Sequence, residues 1–178
     1  MPAAIRRIES ADAPVIAGLC ALLMDAVQDG ASVGFLASPS PQSVRHYWEQ
    51  VAAALPDDIA IWVAESDGEI VGTVQLSRCM KDNGRHRAEV QKLLVLRSHR
   101  GRGISTALMQ AVDEFSAASG ITLLVLDTIA GSPAEFVYRR LGWQKVGEIP
   151  DYAAMPDGEL RPTACYYKRR RCRTRSPS

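Results

Sequence analysis

The sequence predicts a mixed α/β domain: one central, twisted, mixed sheet of about seven strands with helices on both faces. Three observations predict it. Apolar spacing switches repeatedly between the helical and the alternating period, giving the order β-α-α-β-β-β-α-β-α-β-β. Ile121–Asp127 is a nearly continuous apolar run, as a strand buried at the centre of a sheet should be. A chain of 178 residues, 47% of them hydrophobic, suits one core and one domain.

The elements follow in order. Residues 3–8 read as a short strand. Asp12 is placed as an N-cap, and Val15, Ile16, Leu19, Leu22, Leu23, Ala26 and Val27 recur at helical spacing until Gly30. After a Gly-containing loop, Ser40-Pro41 reads as cap and first residue of a helix with Val44, Tyr47, Trp48 and Val51 on one face. Ile59–Glu65 and Ile70–Ser77 form a hairpin around Ser66-Asp67-Gly68-Glu69. Ala88–Leu96 is a strand, Ile104–Ser119 an amphipathic helix stopped by Gly120, and Pro133–Leu141 a short helix ended by Gly142. Trp143–Ile149 and Thr163–Lys168 close the fold around Pro156-Asp157-Gly158.

Charge narrows the function. The net formal charge is +1, but Lys168–Ser178 holds six Lys/Arg and no acid, which leaves 15 basic against 20 acidic residues in the body. A nucleic-acid role would therefore rest on the tail alone, and none is expected. The domain is placed at 1–168, with 169–178 as a basic, disordered tail. Cys20, Cys79, Cys165 and Cys172 show no CxxC pairing, and the three histidines are scattered, so neither a disulfide framework nor a metal site is expected. Cys20 and Cys165 lie in apolar runs and read as buried thiols. No run reaches the ~18 apolar residues of a membrane span, and Leu19–Met24 is too short for a signal core. Cytoplasm is the expected location, with no membrane partner.

Arg100-Gly101-Arg102-Gly103-Ile104-Ser105 joins a strand to a helix. Glycines there allow close approach of the backbone to a ligand, and first-turn N–H groups face outward unpaired. With the helix dipole and the guanidiniums of Arg97, Arg100 and Arg102, such a turn can cradle a pyrophosphate. The same six residues could equally be a solvated basic turn. The longer run from Glu89 to Ser105 resembles the central motif of the GNAT superfamily of N-acetyltransferases, and Tyr138-Arg139-Arg140-Leu141-Gly142-Trp143 is similar to its Y-x-x-L-G-F segment. Gly30–Phe35, Arg87–Leu93, and Pro156-Asp157-Gly158 with Pro162-Thr163-Ala164 resemble, more narrowly, the tabtoxin resistance acetyltransferases.

The resemblance implies a GNAT-like fold and acetyl-coenzyme A as co-substrate, without metal. It implies transfer within a ternary complex to a small-molecule amine, such as an amino-acid-like β-lactam toxin or a related antibiotic. It also implies a β-bulge that splays Ala88–Leu96 from Ile121–Asp127, with pantetheine pairing against Leu93, Leu94 and Val95 and a backbone N–H serving the oxyanion. Arg100, Gly101, Arg102, Gly103, Ile104, Ser105 and Thr106 would hold the diphosphate. Ser105 stands where the family prefers Gly or Ala, Arg97 where proline is frequent, and Gly131 where an asparagine often holds the pantetheine arm.

For the base, Glu89 shares a strand face with Gln91, Leu93 and Val95, and Asp127 shares one with Leu123 and Val125. If the faces meet in a cleft, the pair could hold an ammonium and take its proton. The alternatives are that Glu89 pairs with Arg87 or Lys92 and that Asp127 caps the next loop. The resemblance places Tyr138 beside the departing thiolate as proton donor; otherwise it is a core aromatic. Ser32, Val33, Gly34 and Phe35 would fold over the acceptor. Two other activities are open, acetylation of protein N-termini or lysines and coenzyme A sensing without turnover. A monomer and a homodimer are both compatible with the sequence.

Overall fold

The computed structural model describes residues 3–36, 39–155 and 157–170. Seven strands and four helices follow the expected order: β1 (Ala4–Ile8), α1 (Ala13–Gln28), α2 (Pro41–Ala53), β2 (Ile59–Ser66), β3 (Glu69–Arg78), β4 (Arg87–Val95), α3 (Ile104–Ala118), β5 (Leu123–Ile129), α4 (Pro133–Arg140), β6 (Gln144–Ala154) and β7 (Leu160–Arg169). They make one sheet in the order β1-β2-β3-β4-β5-β7-β6. Only β4 and β5 are parallel neighbours; every other pair is antiparallel.

Local chemistry starts the elements where the sequence placed them. The Asp12 carboxylate accepts the Val15 N–H at 3.0 Å, and the Ser40 hydroxyl accepts the Ser43 N–H at 3.0 Å. In the β2–β3 turn Asp67 and Gly68 both take positive φ, 51° and 81°, as a tight two-residue hairpin requires. The sheet is covered on both sides. Val44 and Trp48 of α2 and Leu19, Leu22 and Leu23 of α1 pack on Ile61 and Val63. Ile104, Leu108, Met109 and Val112 of α3 pack on the other face with Val74, Leu124 and Leu126, and Tyr138 of α4 joins this second core.

Four expectations shift. β5 begins at Leu123 rather than Ile121, and it is buried on one face only: Leu124 and Leu126 are core, whereas Leu123 and Val125 are half-buried. The reason is that α1 packs over β3 and β4, leaving this face of β5 fronting an open cleft. β6 and β7 are both longer than the apolar pattern suggested, because their ladder runs out along an exposed ribbon whose outer strand is solvated on both faces. At the far end β7 continues through Arg169, and Arg170 Nη2 lies 2.9 Å from Asp113 Oδ1, so these two residues join the domain. The rest of the expected tail, 171–178, lies outside the described residues, as does Pro156 of the expected final turn. Finally, Cys20 and Cys165 are half-buried free thiols rather than core residues.

Candidate active site between two diverging strands

β4 and β5 pair only over Arg87–Glu89 and Leu123–Val125, and then part. The cause sits in β4. Along β3, Thr73 faces Leu94 and Gln75 faces Gln91, so Lys92 and Leu93 together oppose the single residue Val74. This is a β-bulge. Lys92 adopts φ +50°, a left-handed conformation costing a non-glycine residue roughly 1–2 kcal/mol.

The extra residue also reverses which way the strand faces. Before it, Ala88 and Val90 pack toward α3; after it, Leu93 and Val95 do, while Leu94 turns to the α1–α2 core. The expectation that Glu89, Gln91, Leu93 and Val95 share one face is therefore corrected. Glu89 and Gln91 lie on the α1–α2 side, and Leu93 and Val95 on the α3 side. The face shared by Asp127, Leu123 and Val125 stands as read, opposite the core residues Leu124 and Leu126.

Where the strands part there is a cleft of about 530 Å³. Glu89, Asp127 and Tyr138 all line it, and Ser32, Val33, Gly34 and Phe35 form its roof. The roof is tied to β6 by Ser32, whose hydroxyl donates to the Ala154 carbonyl at 3.4 Å. Phe35 meets the Tyr47 ring edge-on, with centroids 5.8 Å apart. Tyr47 reaches the cleft, its hydroxyl donating to buried Gln75 at 3.3 Å, while neighbouring Trp48 is fully buried in the core.

The two carboxylates differ in environment. Burial raises the Asp127 carboxyl above its ordinary value, and the field of Glu89 raises it further; the Thr163 hydroxyl and the Lys92 charge pull partly back. Glu89 Oε1 accepts a hydrogen bond from Gln91 Nε2 at 2.9 Å, and among the described residues neither Arg87 nor Lys92 lies within ion-pair range of it. Tyr138 is 7% exposed, wedged between Trp143 and Tyr166. Burial, with a smaller contribution from Asp127, pushes its phenol up to about 12, so it stays protonated through the neutral range.

At the other end of β4, Gly101 and Gly103 take φ of +76° and +78°, and a Cβ on either would meet open space. Gly103 is the N-cap of α3 and supplies no side chain to its first turn, so the N–H groups of Ile104, Ser105 and Thr106 point outward without helical partners. The guanidiniums are arranged otherwise than expected. Arg97 is held by Asp25 and Arg100 by Asp29, both at the end of α1, and Arg102 donates to the Ser98 carbonyl. The glycine loop thus offers backbone donors and Arg102, while Arg97 and Arg100 brace it.

Two residues escaped the sequence reading. Glu135, in the first turn of α4, is 4% exposed and accepts from Tyr166 Oη, Gly131 N (2.6 Å), Arg139 Nη2 (3.0 Å) and Lys145 Nζ (3.2 Å). The Tyr166 bond foremost, with the others, holds its carboxyl down at about 2 against the cost of burial. It also pins Gly131 to the start of the helix that carries Tyr138. The second is Lys92, whose side chain enters the cleft; the one signal for it was a charged residue inside an otherwise apolar strand end. Among the described residues no three metal-ligating side chains cluster, and no helix is long and apolar enough to cross a membrane.

Comparison with known proteins identifies the family and the fold. Residues 18–143 match the acetyltransferase (GNAT) family. An uncharacterized N-acetyltransferase from the hisH-hisA intergenic region of Azospirillum brasilense is 31% identical over 125 residues, covering 69% of this chain and 73% of that one. N-acetyltransferase 8 of Rattus norvegicus is 42% identical over 90 residues, 49% of this chain but only 40% of the relative, so the chain spans about two-fifths of that protein. A phosphinothricin acetyltransferase from Sinorhizobium meliloti, solved in complex with AcCoA, superposes with a TM-score of 0.76 at 18% identity, over 95% of this chain and 89% of that one. The yncA acetyltransferase structure from Salmonella typhimurium with acetyl-CoA gives 0.77 at 16% identity, over 100% and 99% of the two chains. With its family match over 18–143 and seven-stranded sheet splayed at the centre, the chain belongs to the GNAT acetyltransferase family.

Proposed function

We propose that this protein transfers the acetyl group of acetyl-coenzyme A to the amine of a small molecule in a direct, ternary-complex reaction. The observation that carries the reading is the meeting of Glu89, Asp127 and Tyr138 at the gap between β4 and β5, one strand length from a glycine loop at a helix N-terminus.

The residues present fit the co-substrate. Gly101 and Gly103 leave open space where side chains would stand, and the first turn of α3 offers unpaired donors suited to a diphosphate. Arg100, Gly101, Arg102, Gly103, Ile104, Ser105 and Thr106 would surround it, with Arg100 acting through Asp29 and Val95 as a brace. Past Glu89, the side of β4 that faces β5 has no ladder partner, so backbone at Leu93, Leu94 and Val95 is free to pair with an extended pantetheine. Acetyl-coenzyme A supplies the thioester carbonyl.

The chain's own groups then account for the protons. The acceptor enters as an ammonium; Glu89, with Asp127, holds it and takes a proton directly or through water. The freed amine forms a C–N bond at the carbonyl carbon, and a backbone N–H of β4 beyond the bulge stabilises the oxyanion. As the C–S bond breaks, the Tyr138 hydroxyl gives its proton to the sulfur, and the proton still on nitrogen leaves through the carboxylates to solvent. Tyr138 regains a proton from solvent, and the products are an amide and a free thiol.

A small acceptor is favoured over a protein because Ser32–Phe35 covers part of the cleft and Ser32 is bonded to β6, which narrows the approach for an extended chain. The finer resemblance of Gly30–Phe35 and Arg87–Leu93 favours an amino-acid-like amine, as in a β-lactam toxin. The test is thiol release from acetyl-coenzyme A across amino acids, antibiotics, polyamines and peptides, with mass analysis of products. Acetylated small amines are expected. Acetylation of peptides alone, or cofactor binding without thiol release from any amine, would overturn the reading.

A further inference from the structure

Lys92 has no task in the chemistry above, yet the bulge drives it into the cleft. Its Nζ sits 5.3 Å from the centroid of the Tyr47 ring, a cation–π distance, and 3.9 Å from where a Cβ on Gly34 would stand. Among the described residues it has no hydrogen bond or ion pair, although Glu89 and Asp127 line the same cleft. Burial lowers its pKa, and the fields of Asp127 and Glu89 oppose that fall. Among the described residues the cleft therefore presents two carboxyl groups and one partly desolvated cation that feels their field but makes no direct ion pair with them.

Such an arrangement is poorly matched to a simple cationic amine, which would find its carboxylates already half-compensated. It is worse for a polyamine, whose second charge would meet Lys92. It matches an acceptor that brings an ammonium and an anion together. We propose that Lys92 is the specificity-determining residue of the acceptor site and binds the carboxylate of a zwitterionic amino acid whose ammonium lies at Glu89 and Asp127. The proposal rests on the acetyl-transfer reading and narrows its acceptor class. One feature supports the role: Lys92 tolerates an unfavourable backbone conformation to reach this position.

The experiment compares binding of L-alanine, L-leucine, L-methionine and L-phenylalanine with that of their α-amides, by calorimetry on the protein saturated with coenzyme A, where no transfer can occur. At least one acid should bind about tenfold more tightly than its amide, the size expected for one charged hydrogen bond. Lys92→Met keeps the stem and the backbone demand but removes the charge; it should erase the difference, and Lys92→Arg should restore part of it. Lys92→Gly, which relieves the left-handed conformation, should also erase it, so a folding defect in one variant does not decide the matter. Equal affinity for acids and amides, no measurable binding of any acid, or a difference that survives Lys92→Met would overturn the proposal. Parallel assays of thiol release separate the two readings. Selective acid binding through Lys92 without release sinks acetyl transfer alone, whereas release from amines with no acid–amide difference sinks the role of Lys92 alone.

Discussion

Asp25 holds Arg97 twice: Oδ2 accepts the Arg97 backbone N–H at 3.0 Å, and Oδ1 accepts the Nε–H at 2.8 Å. One turn further along the same helix end, Asp29 Oδ2 takes Arg100 Nη1 at 2.6 Å. Burial alone would raise the Asp25 carboxyl, but the bonds from Arg97 outweigh it and hold the group below its ordinary value. The end of α1 thus carries the glycine loop on one side and runs directly into the roof of the acceptor cleft on the other.

That brace should matter for cofactor affinity. Asp25→Asn keeps the shape and loses the charge, so the loop from Arg97 to Gly103 should exchange amide hydrogens faster and acetyl-coenzyme A should bind about three- to tenfold more weakly, a loss of the size of one ordinary hydrogen bond. Removing a negative charge near a diphosphate acts in the opposite direction. Tighter binding in the variant would show that Asp25 competes with the ligand rather than positioning its site.

Glu89→Gln tests the base. It should lower kcat/KM by about 10²–10⁴-fold near neutrality, and the loss should shrink at high pH, where more acceptor amine is already neutral. Asp127→Asn should show the same trend, and the double variant should lose less than the two effects combined, because the carboxylates act on one proton. The sign for stability is opposite. Asp127 has a raised folded-state pKa, so it stabilises the fold below the ordinary carboxyl value and loses that contribution as pH rises through the raised one. At neutral pH the Asn variant should therefore melt no lower than the parent. Rates for Glu89→Gln that match the parent across the whole pH range would remove it from the chemistry.

Tyr138→Phe removes one hydroxyl from a buried ring. The packing against Trp143 and Tyr166 remains, so the melting temperature should hardly move, while kcat should fall by up to ~10²-fold with the acceptor KM nearly constant. Pre-steady-state thiol release should slow with it. An unchanged kcat would make the residue a packing aromatic.

Glu135→Gln should be costly without touching substrate. The carboxylate serves Gly131, Arg139, Lys145 and Tyr166 at once, and a neutral amide cannot satisfy them all. A loss of about 1–3 kcal/mol at neutral pH is expected. Because its folded pKa is depressed to about 2, the carboxylate's contribution is present above 4.5, the usual value, and is lost as pH falls toward 2. The gap in melting temperature between the two proteins should close over that interval. A gap independent of pH would assign the effect to shape alone.

Much of this was legible from residues met in order. The caps at Asp12 and Ser40, the hairpin at Asp67-Gly68 and the glycine loop are local features, set by side chains within a few residues of the backbone they satisfy. Glu89, Asp127 and Tyr138 were legible as candidates, and the structure brings them to one cleft. What was not legible is long-range. Arg97 and Arg100 looked free for phosphate because their partners, Asp25 and Asp29, lie about 70 residues earlier. The resemblance implied a bulge in β4, but its position, and so the reversal of the strand's faces, was hidden because a bulge is a count of two residues against one, and the one belongs to β3. Glu135 went unnoticed, since nothing local announces that Tyr166 and Lys145 will close over it.

The bulge at Lys92 has a consequence for how β4 can vary. Upstream and downstream of it the strand is out of phase with itself, so side-chain identity and chain length are constrained separately. Exchanging Val90 or Leu94 for another aliphatic residue changes only volume. Deleting Lys92 itself would restore a regular ladder and leave every other side chain on its present face, whereas deleting one residue on either side of it would turn part of the strand the wrong way. Loss of Lys92 would instead let β4 and β5 zip together and shut the space between them. A change of length at Lys92 should therefore cost the cleft and spare the core, whereas a one-residue change of length elsewhere in β4 should cost the core as well, a pattern of tolerance set by the parity of a count.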